Sequence, residues 1–439
     1  MSPTKPPLAR STATTPQPDT AWFVESRFGL FIHWGLYALG ARHEWVKRYE
    51  EMTDEFYRRF FDHFDPDLYD PVAWARMARA AGMKYMVVTT RHHDGFCLWD
   101  SLYTDFKATR TPAKRDLLKP LVDAFRQEGL RIGFYYSLLD WTHPDFPVDR
   151  NHPRASDSTY REAHQGRDVR QYAAYMRNQV TELLTQFGKI DLMWYDFSYP
   201  GEDGKGRDDW ESETLLALTR QLQPGIIVNN RLDLPYPPDF VTPEQYQPME
   251  PMRDATGQPV IWEGCQTFSG SWGYHRDEQS WKNVKQLLWL LIDGVSKNGN
   301  LLLNVGPTAR GEFDQRARDR LTGLAGWMHY HARSIYGCGP APEGIETPPD
   351  CRYTYNASSN RLYLHVFNWP IKFVYLPGLN DRVEYAQLLH DASEVQIKAR
   401  SDDPHSNMQA ATADDVLTLL IPNVPPPVEV PVIELFLKS

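Results

Sequence analysis

The sequence is poor in cysteine and has no long apolar run. Its four cysteines, at positions 97, 265, 338 and 351, are widely spaced without a CxxC pair, which argues against a zinc ribbon and a disulfide-rich scaffold. One pairing stays open, a disulfide between Cys338 and Cys351. The longest apolar stretch, near "LLWLLIDG", is far shorter than the roughly 20 residues that span a membrane. We therefore expect no membrane partner.

Clusters of basic residues are also missing. The 47 Lys and Arg residues are scattered and are outnumbered by 57 Asp and Glu residues, which gives a net charge of -10. Because nucleic-acid binding needs a basic face to neutralise phosphates, we expect no nucleic-acid partner. No GxxxxGK[ST] or GxGxxG spacing follows a predicted strand, which argues against phosphate chemistry.

The first residues contain no apolar signal-peptide core. They read "MSPTKPPLARSTATTPQPDT" and are rich in Pro, Ser and Thr, a composition typical of disorder. We therefore expect a disordered N-terminal segment at residues 1–19. We also expect the chain as given to be cytoplasmic; a signal trimmed from it would make the protein secreted or periplasmic.

What the sequence does contain is a regular alternation of strand-like and helix-like segments. Buried-strand patterns such as "YMVVTT", "RIGFYYSL" and "IDLMWYD" alternate with segments of helical period such as "DPVAWARMARAAGMK". This order predicts a parallel sheet covered by helices, closed into a (β/α) barrel. The pattern loosens after "IIVNNR", in a Pro-rich region at 234–251. The barrel is therefore expected to be irregular, with a helix missing or replaced.

A second region begins after residue 340. "GCGPAPEGIETPPD" is typical of a linker, and short alternating runs separated by Pro, Gly, Asn and Asp follow it. Such runs predict an antiparallel β-sandwich. We therefore predict an α/β fold with a catalytic (β/α) barrel at residues 20–340 and a β-sandwich domain at 341–439. A homo-oligomer is compatible with this sequence, which does not specify the oligomeric state.

Polar side chains gather where the predicted barrel strands end. Asp196 ends "IDLMWYD", whereas Asp191 begins it. Since barrel active sites lie at the carboxyl ends of the strands, Asp196 is the candidate nucleophile or base, and alternation places Trp194 on its face. Other strands are followed by further polar residues, namely His33, His92, His93, Tyr136 and Arg231. Several donors converging on one pocket suit a polyhydroxylated ligand.

The three histidines raise the alternative of a metal site. Adjacent histidines on an extended segment, such as His92 and His93, point to opposite sides, and the sequence has neither HxH nor HExxH spacing. We therefore predict no metal site.

Several motifs occur together in one order: "RFGLFIHWGLYA", "TTRHHDGFCLWDS", "GFYYSLLDW", "WYDF", "NNR", "TPEQ", "WEGCQTFSGSWGYH" and "NLLLNVGPTARG". They resemble the retaining α-L-fucosidases of glycoside hydrolase family 29. The resemblance implies a barrel followed by a β-sandwich, and an exo-acting hydrolase of terminal α-L-fucosides that forms a covalent fucosyl-enzyme. It also implies a fucosylated small molecule or oligosaccharide as the substrate, catalysis without a metal or an organic cofactor, and transfucosylation as a side reaction.

The resemblance also implies residue roles. Asp196 in "WYD" matches the family's nucleophile, and Glu244 in "VTPEQ" matches its acid/base. Glu263 in "IWEG" is the rival and Glu250 a third candidate, because this region varies within the family. The matching sugar-binding set comprises His33, Glu44, Trp45, His92, His93, Tyr136, Trp194 and Arg231.

Some alternatives remain at this point. Tyr136 could instead be a core residue, and the apolar wall for the fucose methyl group could be Phe31, Trp34 or Trp194. The protein could be an inactive fucose-binding protein, or a retaining glycosidase of another sugar. "TPEQ" and "SWGYH" resemble the broad-specificity members of the family, but the loops that contact the leaving group cannot be placed from the sequence.

Overall fold

The computed structural model describes residues 18–438, so the predicted disordered segment lies outside the described residues except for residues 18 and 19. Seven parallel strands form the first sheet, in the spatial order β5-β4-β3-β2-β1-β7-β6. These strands are β1 (Phe28–Ile32), β2 (Tyr85–Arg91), β3 (Arg131–Ser137), β4 (Leu192–Asp196), β5 (Ile227–Val228), β6 (Trp262–Thr267) and β7 (Gly299–Val305).

Isolated bridges close this sheet into a barrel. Phe240 forms a parallel bridge with Asn229 beside β5, while Val241 and Glu244 form parallel bridges with Trp262 and Cys265 of β6. We call residues 240–244 the closing segment. It takes the place of an eighth strand, and no helix lies between it and β5. The predicted irregularity of the barrel is therefore confirmed at this point.

Helices connect and cover the strands. Asp70 caps α5 by accepting a hydrogen bond from the Ala73 amide at 3.0 Å, and Pro71 occupies the first helical position, where its missing N–H costs nothing. The helices are α1 (Ala21–Ser26), α2 (Tyr37–Gly40), α3 (Val46–Tyr49), α4 (Asp54–His63), α5 (Pro71–Ala80), α6 (Leu118–Gln127), α7 (Ser158–Ala163), α8 (Val169–Gln186), α9 (Arg207–Trp210), α10 (Ser212–Leu222), α11 (Val284–Ser296) and α12 (Gln315–His331).

Two antiparallel sheets follow the barrel, as the sequence predicted. One has the order β10-β13-β12 and the other β11-β14-β9-β8. The strands are β8 (Cys351–Asn356), β9 (Arg361–Val366), β10 (Phe373–Leu376), β11 (Val383–Leu388), β12 (Gln396–Lys398), β13 (Leu417–Leu420) and β14 (Val432–Leu437). Their inward side chains, among them Leu364, Leu419 and Leu435, form a core separate from that of the barrel.

The possible disulfide between Cys338 and Cys351 is not formed. Both thiols are free and buried, as are those of Cys97 and Cys265. Across residues 18–438, no helix is long and apolar enough to cross a membrane.

Candidate active site

A pocket of about 370 Å³ opens at the carboxyl ends of the barrel strands. The lining combines aromatic rings with ionisable groups: Phe31, His33, Glu44, Trp45, His92, His93, Tyr135, Trp194, Asp196, Phe197, Arg231, Glu244, Cys265 and Trp272. It thus includes both carboxylates of the predicted catalytic pair and seven of the eight predicted binding residues.

Asp196 ends β4 and is held by two donors. Its Oδ2 accepts a hydrogen bond from the Tyr135 hydroxyl at 2.7 Å, and its Oδ1 accepts one from Arg231 Nη1 at 2.8 Å. Only 8% of the residue is exposed. The carboxylate is therefore fixed in orientation before any ligand arrives.

Asp191 lies at the opposite end of the same strand and is structural. It accepts hydrogen bonds from Arg131 Nη1 at 2.9 Å and from the Ile132 amide at 3.1 Å. Barrel active sites lie at the carboxyl ends of the strands, whereas the amino ends contribute to stability. The two aspartates lie at the ends of the strand that this rule predicted from the sequence.

Arg231 joins the two candidate catalytic carboxylates. While its Nη1 donates to Asp196, its Nη2 donates to Glu244 Oε2 at 2.7 Å. Burial would lower the pKa of Arg231, but the charges of Asp196 and Glu244 outweigh burial and raise it. The guanidinium is therefore a permanent cation, and it lies 4.4 Å from the centre of the Trp194 ring. The Glu244 side chain is 41% exposed and stands at the mouth of the pocket.

Glu263, the rival acid/base, lies below the pocket instead of lining it. Its carboxylate is fully buried and accepts hydrogen bonds from the Trp194 indole at 3.2 Å and from the Tyr85 hydroxyl. Burial raises the pKa of Glu263 to about 7, against the opposing effect of these two donors. Glu250 is exposed and lies outside the lining. Position therefore favours Glu244.

His33 and His93 are neutral rings with defined tautomers. The Asn304 amide nitrogen donates to the Trp272 carbonyl, so its oxygen accepts from His33 Nδ1 at 2.6 Å. Ser137 Oγ donates to Leu139 O and accepts from His93 Nδ1 at 2.7 Å. Burial lowers the pKa of His33 to about 3 and that of His93 well below its ordinary value. Each ring keeps Nε2 as a hydrogen-bond acceptor.

Two buried polar atoms of the lining residues have no partner, His92 Nδ1 and Glu44 Oε1. Glu44 Oε2 accepts from the Gly273 amide at 2.8 Å. His43 Nδ1 lies 3.1 Å from Glu44 Oε1, but it accepts the Trp45 amide hydrogen and therefore has none to donate. Because buried polar atoms are normally paired, these two are candidates for contacts with a ligand hydroxyl.

Tyr136 does not line the pocket, and its predicted binding role is wrong. Its ring packs under the Arg91 guanidinium at 4.2 Å, and its hydroxyl donates to Gln179 Oε1 at 2.8 Å, on the helix side of β3. Tyr135 is paired with Trp194 across the β3–β4 ladder, so it shares the inward face with Trp194. Tyr135 therefore replaces Tyr136 in the site.

Trp34 is also placed away from the pocket. It packs against Phe64, Tyr69 and Trp74 in the layer between β1 and the helices. Of the three residues considered for the apolar wall, only Phe31 and Trp194 line the pocket.

The sequence analysis missed three aromatic residues of the lining, Tyr135, Phe197 and Trp272. Trp272 lies within the quoted "SWGYH" motif, and Phe197 follows Asp196 directly. Phe197 has a φ of +78°, a strained conformation for a bulky residue. Its ring lies 4.9 Å from that of His93. Phe197 could have been predicted as a lining residue because it directly follows the strand-end carboxylate of Asp196.

Among residues 18–438, no group of three or more His, Cys, Asp or Glu side chains is arranged to hold a metal ion.

The chain is similar to known fucosidases in sequence and in structure. The family described as "Alpha-L-fucosidase" matches residues 5–333. Human plasma alpha-L-fucosidase is 29% identical over 380 residues, which are 80% of this chain and 76% of the relative. Alpha-L-fucosidase isoenzyme 1 from Paenibacillus thiaminolyticus superimposes with a TM-score of 0.89 at 44% identity, over 96% of this chain and 99% of that chain.

A further solved structure bears on mechanism. A family 29 alpha-L-fucosidase from Bacteroides thetaiotaomicron, trapped as a covalent intermediate with 2-fluoro-fucosyl fluoride, superimposes with a TM-score of 0.82 at 27% identity, over 98% of both chains. The matched family covers most of this chain, and both the barrel and the antiparallel sheets agree with these structures. The chain therefore belongs to the α-L-fucosidase family, glycoside hydrolase family 29.

Proposed function

We propose that this chain is an exo-acting α-L-fucosidase that hydrolyses terminal α-L-fucosides with retention of configuration. The observation that carries the proposal is the pairing of Asp196 and Glu244 on one guanidinium group in a pocket lined by aromatic rings and ionisable groups. Retaining glycosidases need two carboxyl groups about 5 Å apart, one as nucleophile and one as acid and base.

In the first step, the Glu244 carboxyl group protonates the glycosidic oxygen while an Asp196 oxygen attacks the anomeric carbon. The bond to the leaving group breaks, the leaving alcohol takes the proton, and a fucosyl ester of Asp196 forms. Arg231 and the Tyr135 hydroxyl hold Asp196 for this attack, since each occupies a different carboxylate oxygen.

In the second step, the Glu244 carboxylate removes a proton from water, which attacks the same carbon and releases Asp196. Two inversions give net retention. Because the mouth of the pocket is the open side, a sugar hydroxyl can replace this water, and we include transfucosylation in the proposal. One solved relative, a Thermotoga maritima alpha-L-fucosynthase, is described in complex with a fucosyl-fucose azide.

Fucose recognition follows from the unpaired atoms of the pocket. Glu44 Oε1 accepts from a sugar hydroxyl, and the Nε2 atoms of His33 and His93 supply two further acceptors. Phe31 and Trp194, whose ring centres lie 5.3 Å apart, form an apolar wall suited to the methyl group of a 6-deoxy sugar.

A panel of 4-nitrophenyl glycosides tests the proposal. We expect turnover of the α-L-fucoside and not of aryl glycosides of other sugars, with the α-anomer as first product by NMR. Incubation with 2-deoxy-2-fluoro-fucosyl fluoride should add one fluorofucosyl group, located at Asp196 by peptide mass spectrometry. Tight fucose binding without turnover would instead identify an inactive binding protein, and turnover of another aryl glycoside alone would identify a different sugar specificity.

A further inference from the structure

We propose that Tyr49, stacked on Trp45 at the rim of the pocket, forms the binding site for the sugar that leaves. This inference rests on the proposed fucosidase activity and adds to it the chemical class of the leaving group, a hexopyranose that presents an apolar ring face. We call the two side chains the aromatic shelf.

The aromatic shelf continues the pocket wall outward. Trp45 lines the pocket and packs edge-on against Trp141 at 5.3 Å and against His93 at 5.0 Å. It also stacks with Tyr49, with ring centres 5.9 Å apart and planes inclined by 27°. Trp45 is thus in contact both with the core of the site and with Tyr49, which continues the aromatic surface.

Tyr49 is exposed and lies close to the pocket. It is 66% exposed, so most of its side chain is available to a ligand. Its pKa is raised by partial burial and by the carboxylate of Glu44, a pocket-lining residue. The Tyr49 ring therefore stands at the boundary between the pocket and solvent.

The backbone holds the aromatic shelf in place. Tyr49 is the last residue of α3, and its amide donates to the Trp45 carbonyl at 2.9 Å. In the same short helix, Lys47 is buried, and its ammonium group contacts Asp54 Oδ1 at 2.7 Å. Because the contact between Lys47 and Asp54 fixes α3, the exposed Tyr49 ring is positioned before a ligand binds. Little conformational entropy is therefore lost when the ligand contacts it.

The leaving group has to lie at the mouth of the pocket, beside Tyr49. The pocket is closed below by the barrel core, and the proposed acid/base Glu244 is 41% exposed at its mouth, so a bond that Glu244 protonates points towards the mouth. A pyranose ring at the mouth has one face made of C–H groups, and an exposed aromatic ring is the complementary surface. The Tyr49 hydroxyl adds one donor and acceptor for a sugar hydroxyl.

The test compares two substrates that differ only in the leaving group. In α-L-fucosyl fluoride the leaving group is a single ion that reaches no rim residue; in α-L-fucosyl-(1,2)-galactose it is a hexopyranose. For Tyr49→Ala we expect kcat/KM on the disaccharide to fall about 3- to 10-fold, the range of one aromatic contact, with KM rising and the fluoride unaffected. Tyr49→Phe should keep most of the disaccharide activity because it keeps the ring.

Two further variants make the test specific. Tyr330→Ala removes an exposed ring on α12, 50% exposed and outside the site, and should change neither substrate. Tyr246→Ala removes a 56% exposed ring two residues after Glu244 in the chain. If Tyr246→Ala and not Tyr49→Ala selectively impairs the disaccharide, the leaving group lies elsewhere and the inference is overturned.

Equal losses on both substrates for Tyr49→Ala would also overturn it, because Tyr49 would then support only the fucose pocket. No change on either substrate would do the same. If the wild-type protein hydrolyses neither substrate, the failure belongs to the proposed function and not to the aromatic shelf.

Discussion

The indole Nε1 of Trp194 donates a hydrogen bond to Glu263 Oε1 at 3.2 Å, directly beneath the pocket. Trp194 in turn lies under Arg231 and beside Phe31. The buried carboxyl group of Glu263 thus supports a pocket wall without reaching the pocket itself. The sequence left Glu244 and Glu263 as alternative candidates for the acid/base. In the structure Glu244 lines the pocket, whereas Glu263 supports one of its walls.

Glu263 should make the stability of the protein depend on pH. Its folded pKa of about 7 lies above the ordinary value, so between about pH 4.5 and 7 the folded state binds more protons than the unfolded state and stability falls as pH rises. For Glu263→Gln we expect this slope to be reduced, with a gain relative to wild type of roughly 3 kcal/mol on going from pH 4 to pH 8. Urea unfolding at both pH values measures it. An unchanged difference between the two proteins would contradict the prediction.

Asp196→Gly should abolish turnover while the fold survives, because a strand-end carboxylate contributes chemistry and not core packing. Sodium azide should restore activity on an activated fucoside and give the inverted, β-configured fucosyl azide. The control is Asp191→Ala at the other end of β4. It removes the acceptor of the Ile132 amide, so it should cost about 1–3 kcal/mol of stability with kcat retained. An equal loss of kcat in folded Asp191→Ala would refute the assignment.

Tyr135→Phe removes the 2.7 Å hydrogen bond to Asp196 Oδ2. Because bonds to charged groups contribute about 1.5–3 kcal/mol, we expect kcat/KM to fall about 10- to 100-fold. Tyr136→Phe is the matched control from the same strand. It removes a core hydrogen bond to Gln179, so it should lower the unfolding free energy by about 1 kcal/mol and leave kcat/KM unchanged. Steady-state kinetics and urea unfolding of both variants distinguish the two tyrosines.

Glu244→Ala should slow fucosides with poor leaving groups about 10²- to 10⁴-fold and spare the first step on an activated aryl fucoside. The basic limb of the pH profile should disappear, and azide should give an α-configured product, since Asp196 still forms the fucosyl-enzyme. Glu250→Ala, exposed and outside the pocket lining, should behave like wild type. If Glu263→Ala shows all of these effects and Glu244→Ala keeps its pH profile, the assignment is reversed.

The pocket histidines should not titrate in the working range. Burial lowers the pKa of His33 to about 3, so the ring is neutral at pH 5 and above. His33→Gln should weaken fucose binding by about 1–3 kcal/mol without moving the acid limb of kcat/KM. A shift of that limb would show that His33 carries a proton during turnover. Treatment with EDTA should leave the wild-type activity unchanged, whereas loss of activity in EDTA and recovery with Zn²⁺ would revive the metal hypothesis.

Residue periodicity was sufficient to predict the barrel strands and the place of Asp196, because burial on both faces and position within a strand are local properties. It was insufficient for Tyr135 and Tyr136. Both are apolar neighbours in "GFYYSL", and the choice of inward face is set by the pairing of Tyr135 with Trp194 on another strand. The distinction between Glu244 and Glu263 likewise depends on which segments meet across the barrel.

Two elements of the fold, the closing segment and β8, have sequences that do not show a strand pattern. The closing segment makes only single bridges to its neighbours, so its sequence shows neither the apolar run of a buried strand nor an alternating pattern. β8 directly follows the predicted linker and mixes Arg, Thr and Asn with aromatic residues. Its partner β9 gives a clearer signal, because Leu362, Leu364 and Val366 alternate inward.

The backbone of Asp196 is held by more strand pairing than the backbone of Glu244, which belongs to the closing segment. Asp196 is mounted on a strand paired along its length with β3, whereas Glu244 rests on one bridge beside Cys265. An insertion or deletion next to Glu244 is therefore expected to displace the acid/base at the mouth of the pocket before it displaces the nucleophile or the fucose-binding wall.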